Sequence, residues 1–181
     1  VRAFDEYRDV KVEQRKKIIA AIREFCRESI EELSRMAVAE TGMGRREDKL
    51  QKNRLAIDKT PGVEDLIPEA FSGDCGLTIQ ERAPWGVIGS ITPCTNPSET
   101  IICNGIGMLA GGNAVVFNPQ PSARRTSAFT VDLMNRAVIS AGGPPNLIVA
   151  VAKPTIQSAQ QLMVHPDIRL LVVTGGPAVV A

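Results

Sequence analysis

Residues 86–119, GVIGSITPCTNPSETIICNGIGMLAGGNAVVFNP, contain two short apolar runs with a helical segment between them. The runs at 86–91 and 114–117 have the length and composition of buried strands. A helix is predicted to begin at Pro97, a residue that suits the first helical turn, and to end at the glycines 111–112. A strand, a helix and a second strand in this order predict a parallel pair of strands joined by a helical crossover.

The same alternation continues toward residue 181. We predict strands at 147–151 and 169–173 and helices at 122–141 and 155–164. Uninterrupted apolar strands that alternate with helices are typical of parallel sheets covered on both faces. The fold class is therefore α/β, with part of a doubly wound, Rossmann-like sheet. Residues 177–181 look like the first turn of a further helix, so we expect the chain to be part of a longer protein.

The first third of the chain has a helical pattern. We predict helices from residue 12 onward, over 29–41 and over 45–59, with Ser29 and Glu32 forming a capping box and Gly42 ending the second helix. The charged run 45–49 is interpreted as a solvated helix face, as is Arg124-Arg125. The pattern changes near residue 73, and a strand is predicted at 77–81. We therefore divide the chain into a helical segment, 1–73, and a second part, 74–181.

Composition excludes several function classes. The 181 residues include 21 Lys and Arg against 20 Asp and Glu, so no basic excess indicates nucleic acid. Hydrophobic residues make up 44%, as in soluble globular proteins, and no apolar run approaches the roughly 20 residues of a membrane span. The four cysteines and the single histidine lack metal-ligand spacing, so we predict no metal site.

Two glycine motifs could bind a dinucleotide. Gly105-Ile-Gly107-Met-Leu-Ala110 matches G-x-G-x-x-A by letter, but it lies in the second half of a predicted helix, whereas the fingerprint needs a strand before it. We interpret these glycines as sites of close helix packing. Thr174-Gly175-Gly176 directly follows a predicted strand, where backbone amides can approach a pyrophosphate. A plain strand-to-helix turn explains that segment equally well.

The loop between residues 91 and 97 contains a candidate for oxyanion stabilisation. Asn96 follows a strand in a loop stiffened by two prolines, where its amide could donate to a developing oxyanion. The alternative is that Asn96 caps the helix that begins at Pro97, and the residues alone favour the cap. Cys94 lies near the same helix start, but it has no histidine near it in sequence, and we interpret it as an incidental thiol.

Together these segments resemble the aldehyde dehydrogenase superfamily. The resemblance is carried by the run ERAPW through QPSA at 81–123, and it extends over nearly the whole chain from about Val12. That run is most similar to the CoA-acylating branch, which has the T-P-x-T-N-P loop found here at 92–97. Three further stretches narrow the resemblance to the ethanolamine- and propanediol-utilisation type that is associated with bacterial microcompartments: LSRMAVAETGMGRREDKLQKN (33–53), TPGVEDL (60–66) and LLVVTGGPAVV (170–180).

The resemblance implies roles for individual residues. Asn96 matches the asparagine whose amide helps to hold the substrate oxyanion, and Asn118 stands where hydrolytic members have a lysine that contacts the adenosine ribose. A later family glycine falls at Val180 here. The other matches are Thr92 and Pro93 beside the nicotinamide, Pro119, Gln120 and Pro121 in the loop flanking the adenine pocket, where CoA can also bind, and Thr174, Gly175 and Gly176 in the turn over the pyrophosphate.

The resemblance also implies an activity for the parent protein. An NAD-dependent CoA-acylating aldehyde dehydrogenase would convert a short-chain aldehyde such as acetaldehyde or propionaldehyde, with CoA and NAD, to acyl-CoA and NADH through a cysteine thioester. The catalytic cysteine is expected beyond residue 181, and residues 74–181 are expected to be an incomplete NAD(P)/CoA-binding domain. A homo-oligomer in the cytoplasm, or inside a microcompartment beside shell or cargo proteins, is implied. The alternatives are a hydrolytic aldehyde dehydrogenase and a non-catalytic nucleotide-binding fragment.

Overall fold

The computed structural model describes residues 1–176. The helices are α1 (Arg2–Tyr7), α2 (Val12–Glu28), α3 (Ile30–Thr41), α4 (Arg46–Lys59), α5 (Pro97–Ala110), α6 (Arg124–Ser140) and α7 (Ile156–Met163). The strands are β1 (Glu69–Gly73), β2 (Gly76–Gln80), β3 (Val87–Thr92), β4 (Ala114–Pro119), β5 (Ile148–Ala150) and β6 (Ile168–Val173). The predicted strands and helices after residue 86 are thus confirmed, with their ends shifted by at most two residues. The helical turn predicted at 177–181 lies outside the described residues.

Four parallel strands form the sheet that organises the chain. Their order is β5-β4-β3-β6, with Ser90 of β3 in register with Phe117 of β4 on one side and Val172 of β6 on the other. The chain moves outward from β3 to β4 and β5 and then returns to the opposite side of β3. This reversal makes the sheet doubly wound, and the crevice between β3 and β6 is its topological switch point.

Helices cover the sheet on both faces. The Asn104 side chain of α5 donates to Ser90 Oγ at 3.2 Å, which places α5 on the face to which Ser90 points. A Cβ at the preceding residue, Gly89, would lie 3.2 Å from Leu162 of α7. Because successive residues of a strand point to opposite faces, α7 covers the other face. The fold is therefore α/β with helices on both sides of a parallel sheet, as predicted.

The N-terminal helices share one hydrophobic core with the sheet. Ile22 of α2, Leu33 of α3 and Ile57 of α4 are fully buried in the same cluster as Ile102 of α5 and Phe117 of β4. The short helix α1, which the apolar pattern did not predict, also joins this core. Its Tyr7 is buried, and the hydroxyl donates to the Leu109 carbonyl at 3.0 Å, which satisfies the polar end of a buried phenol.

One prediction about the first half of the chain is confirmed and one is wrong. The strand predicted at 77–81 is confirmed as β2, which pairs antiparallel with β1 in a separate two-stranded hairpin whose residues are all exposed. The capping box predicted at Ser29 and Glu32 does not form. Ser29 has φ −98° and ψ 9° and its amide donates to the Phe25 carbonyl, so it continues the preceding helix instead of adopting the extended conformation of a capping residue.

Candidate active site at the carboxyl ends of the parallel strands

The loops that follow three neighbouring strands are held together at one edge of the sheet. The amide of Thr174, after β6, donates to the Ile91 carbonyl of β3 at 3.0 Å. The amide of Gln120, after β4, donates to the Thr92 carbonyl at 2.9 Å. Carboxyl ends of parallel strands at a switch point are where ligands bind in open α/β sheets. The predicted site residues all lie at this edge.

A crevice beside the switch point brings Asn96 and Thr174 together. It has a volume of ≈ 580 Å³ and is bounded by α4 on one side and the start of α5 on the other. Both predicted residues line it, so the loops after β3 and β6 face a common space. The other lining residues are Lys52, Leu55, Ala56, Lys59, Thr60, Glu99, Thr100, Cys103 and Asn104.

The side chain of Asn96 is not used to cap α5. Asn96 occupies the capping position, and its carbonyl accepts from the Thr100 amide at 3.1 Å, but its side chain makes no capping hydrogen bond. Asn96 Oδ1 instead accepts from Lys52 Nζ at 3.2 Å. The structure therefore does not support the cap that the residues alone favoured, and the NH₂ group of the amide donates to no group within residues 1–176.

A buried ion pair anchors the loop that carries Asn96. Lys49 Nζ lies 3.4 Å from Glu99 Oε1, and the two side chains are only 3% and 8% exposed. Lys49 also donates to the Thr95 carbonyl. The pair fixes α4 to the start of α5 and balances the charge of the Glu99 carboxylate at the edge of the crevice.

The structure corrects the interpretation of the charged run 45–49 for one residue. Positions 45–48 are exposed, as expected, but Lys49 is buried. Asn53, Ala56 and Ile57 are buried on the same helix, so Lys49 extends their stripe at the spacing i, i+4, i+7 and i+8. That spacing is the sequence signal that could have predicted the burial of Lys49. Nothing in the local sequence indicated Lys52 or Glu99, because their roles depend on α5 packing against α4.

Thr92 and Pro93 lie between the strand and the Asn96 loop. Thr92 is the last residue of β3 and is 1% exposed. Its hydroxyl has no hydrogen-bond partner within residues 1–176. A buried hydroxyl without a partner is unusual and fits a ligand group at this edge. Pro93 is half-buried and stiffens the turn away from the sheet.

Asn118 lies on the other face of the sheet from the Asn96 crevice. It pairs in register with Ile91, which points away from the α5 face, and its Oδ1 accepts from Ser158 Oγ of α7 at 2.6 Å. Pro119 is the last residue of β4 and directly precedes the loop that begins at Gln120. Gln120 is exposed, and its Oε1 accepts from the Ser122 amide at 2.6 Å. Pro121 begins a short 3-10 turn over Pro121–Ala123.

The turn after β6 is described only as far as Gly176. Thr174, Gly175 and Gly176 are exposed, and a Cβ at Gly176 would meet no heavy atom within 4 Å among the described residues. This openness leaves room for a ligand beside the backbone. Val180 lies outside the described residues.

The G-x-G-x-x-A motif lies inside α5, as the sequence indicated. A Cβ at Gly105 would lie 2.5 Å from Met134 Cε, so this glycine permits the close approach of α6, and the packing interpretation is confirmed there. Gly107 is exposed, and a Cβ there would meet nothing within 4 Å. The packing interpretation was therefore wrong for Gly107.

The four cysteines have different environments. Cys26 is fully buried, and burial raises the pKa of its thiol to about 12, while Cys75 is exposed and Cys94 and Cys103 are partly exposed. Across the described part of the chain, no group of three or more His, Cys, Asp or Glu side chains is arranged to hold a metal ion.

Comparison with known proteins adds to this geometry. The family model described as "Aldehyde dehydrogenase family" matches residues 1–181. An acetaldehyde dehydrogenase (acetylating) of Bilophila wadsworthia is 55% identical over 170 residues, which cover 94% of this chain and 35% of that protein. The chain thus spans about a third of that relative's length.

Two solved structures have the same arrangement of elements. A propionaldehyde dehydrogenase from the Clostridium phytofermentans fucose utilisation bacterial microcompartment superposes with a TM-score of 0.96 at 56% identity, covering 99% of this chain and 41% of that one. A propionaldehyde dehydrogenase of Rhodopseudomonas palustris, solved with bound CoA and an acylated cysteine, gives a TM-score of 0.95 at 53% identity, with 98% and 41% covered.

Proposed function

The chain belongs to the aldehyde dehydrogenase family, and we propose that its parent protein converts a short-chain aldehyde, CoA and NAD to acyl-CoA and NADH. NAD would supply the hydride acceptor and CoA the thiol that takes the acyl group. Relatives named acetaldehyde and propionaldehyde dehydrogenases make these two aldehydes the first substrates to assay. The acylated cysteine of the Rhodopseudomonas palustris relative supports a thioester route, with the cysteine supplied from beyond residue 181.

The observation that carries this proposal is the state of the Asn96 side chain. Its amide is free of the helix cap and lines the crevice that it shares with Thr174 at the switch point. An amide NH₂ held in a stiff loop can donate to the oxyanion that forms when a thiolate attacks the aldehyde carbon. The backbone start of α5 adds the positive end of a helix dipole on the same side.

We further propose that residues 74–181 are part of the domain that binds NAD and CoA, with residues 1–73 packed on it. Thr92 and Pro93 would border the nicotinamide, and Thr174, Gly175 and Gly176 would border the pyrophosphate. Asn118, Pro119, Gln120 and Pro121 would border the adenine end. The unpartnered Thr92 hydroxyl and the open backbone at Gly176 fit such a ligand.

The location and assembly of the protein are also proposals. No helix within residues 1–176 has the length and apolar character to cross a membrane. We propose a homo-oligomer in the cytoplasm or inside a bacterial microcompartment, because one similar structure is named for such a compartment. Recovery of the enzyme with purified compartments, and its size by light scattering, test these two points.

Product analysis tests the reaction type. The full-length protein, given acetaldehyde or propionaldehyde with NAD, is expected to form acyl-CoA when CoA is present. Free acid formed at the same rate with or without CoA would instead assign the hydrolytic reaction. NAD binding without turnover of any aldehyde would leave a nucleotide-binding module.

Replacement of Asn96 tests its role directly. In the full-length protein, Asn96→Ala is expected to lower kcat about a hundredfold, as for other oxyanion donors. Asn96→Asp is the matched control, because aspartate caps a helix as well as asparagine but its carboxylate has no donor. Both variants should be slow. Full activity in the aspartate variant would assign Asn96 to capping alone.

A further inference from the structure

We propose that Lys52 is a positioning residue for Asn96: its ammonium group binds the oxygen end of the amide and turns the NH₂ end toward the crevice. This inference rests on the proposed oxyanion role of Asn96. The contact is Lys52 Nζ to Asn96 Oδ1, at 3.2 Å, between α4 and the loop after β3. Lys52 and Asn96 both line the crevice.

The chemistry of the two groups makes the orientation unambiguous. An asparagine amide has an acceptor at one end and donors at the other, and the two ends are nearly equal in size, so packing alone hardly distinguishes them. An ammonium group has donors but no acceptor, and it can therefore bind only the oxygen end. Asn96 Nδ2 donates to no protein group in the part of the chain that the structure describes. The amide donors are thus kept for a group in the crevice.

Charge adds to the effect of orientation. A cation at the amide oxygen polarises the amide and makes its N–H groups stronger donors. The same cation lowers the energy of a negative charge that forms nearby. The carboxylate of Glu99 borders the same crevice but is already paired with Lys49 at 3.4 Å. Lys52 therefore remains as a cation directed at Asn96.

Helix α4 contacts the loop after β3 at two successive loop residues, Thr95 and Asn96. Lys49 donates to the Thr95 carbonyl and Lys52, one turn later, to the Asn96 side chain. Residues three apart on a helix lie on the same side, so one rigid surface fixes both the backbone and the amide. The two lysines differ in burial. Lys49 is buried and structural, whereas Lys52 is exposed and contributes little to stability.

The experiment compares single and double variants of the full-length protein. Lys52→Met is expected to lower kcat for acyl-CoA formation about tenfold, a smaller effect than loss of the donor itself, with the KM for aldehyde changed less than kcat. Lys52→Arg should restore most of the rate, because guanidinium also has only donors. Lys17→Met, at an exposed lysine of α2 outside the crevice, is the matched control and should leave kcat and the thermal midpoint unchanged.

The double variant identifies the path of the effect. If Lys52 acts through Asn96, Lys52→Met should produce no further loss in an Asn96→Ala background. A kcat for Lys52→Met equal to that of Lys17→Met, or losses that multiply in the double variant, would overturn the inference while Asn96→Ala still slows the reaction. If Asn96→Ala itself left kcat unchanged, the proposed role of Asn96 would fail, and the inference with it. A fall of the thermal midpoint that arginine does not restore would make Lys52 structural and also overturn it.

Discussion

The Asn96 amide shows how much one side chain depends on its neighbours. By residue type it is a good helix cap, and it stands in the capping position of α5. In the structure the oxygen of this side chain accepts from Lys52 and not from a helix N–H group. In the proposed mechanism, a side chain that is a cap by residue type acts instead as a donor that a cation orients.

Cys26 is a second residue whose behaviour is set by burial. Burial raises the pKa of its thiol from 9.0 to about 12, so the thiol stays neutral in the folded state while it ionises near pH 9 in the unfolded state. The contribution of this thiol to the free energy of unfolding is fully present below about pH 9. It is lost as the pH rises toward 12. Each pH unit in that window should lower the free energy of unfolding by up to about 1.4 kcal/mol.

Unfolding measured from pH 8 to pH 11 checks this expectation. Cys26→Ala should flatten the fall in stability, while Cys75→Ala, at an exposed thiol, should leave it unchanged. Burial also raises the pKa of Tyr7, so part of the fall should persist in Cys26→Ala. The same slope in the wild type and in Cys26→Ala would contradict the assignment.

Among the elements, α5 joins the sheet, the crevice and α6. Its start carries Asn96 and Glu99, its middle contains Gly105 against Met134, and its end is closed by Gly112 in the left-handed region at φ 81°. One helix therefore combines an end that borders the crevice with a tightly packed centre. The glycines in and after this helix differ in backbone conformation and in the space around them, so alanine substitutions should affect stability differently.

Gly107 and Gly112 should respond in opposite directions to alanine. Gly107→Ala is expected to raise the free energy of unfolding by about 1 kcal/mol, because the added methyl group meets nothing within 4 Å and helix propensity improves. Gly112→Ala should lower it by about 1–2 kcal/mol, because φ is positive and the Cβ would lie 2.8 Å from Arg15 Nη1. Chemical denaturation measures both changes. Effects of the same sign would show that local conformation does not govern either site.

Across residues 1–176, the N-terminal helices and the sheet pack around one hydrophobic core. The Lys49–Glu99 pair links α4 to α5, and the Glu40 carboxylate accepts from the Arg125 and Thr126 amides at 2.7 Å, so that it caps α6 from α3. These contacts cross the boundary near residue 73. Residues 1–73 thus help to shape the crevice instead of standing apart from it.

Loss of the buried Lys49 side chain should lower the stability of the N-terminal helices and the sheet together. Lys49→Met is expected to lower the free energy of unfolding by about 3–5 kcal/mol, because it leaves the Glu99 carboxylate buried without a cation, with only the Ser98 hydroxyl as a donor. Lys49→Met with Glu99→Leu should recover most of that loss, since an apolar pair can replace a buried ion pair. Thermal or urea unfolding of the three variants provides the comparison. A single-variant loss below about 1 kcal/mol would mean that water or another group reaches Glu99.

The linear sequence determined the α/β class, the parallel alternation and most helix boundaries. The run 86–119 is an example, because apolar strand length, Pro97 and the glycines 111–112 are local signals. Local signals also showed that the glycine motif at Gly105 is not a dinucleotide-binding fingerprint, because the residues before it are helical and not a strand. The family resemblance likewise needed only the order of residues.

Tertiary structure alone decided which residues meet. The strand order β5-β4-β3-β6 brings Asn96 and Thr174 to one crevice although 78 positions separate them in the numbering (174 − 96). The exposed hairpin, the burial of Lys49 and the contact of Lys52 with Asn96 arise from packing between distant elements. The physical reason is that periodicity reports which face of an element is buried, whereas the partner of a polar side chain depends on the element that packs against it.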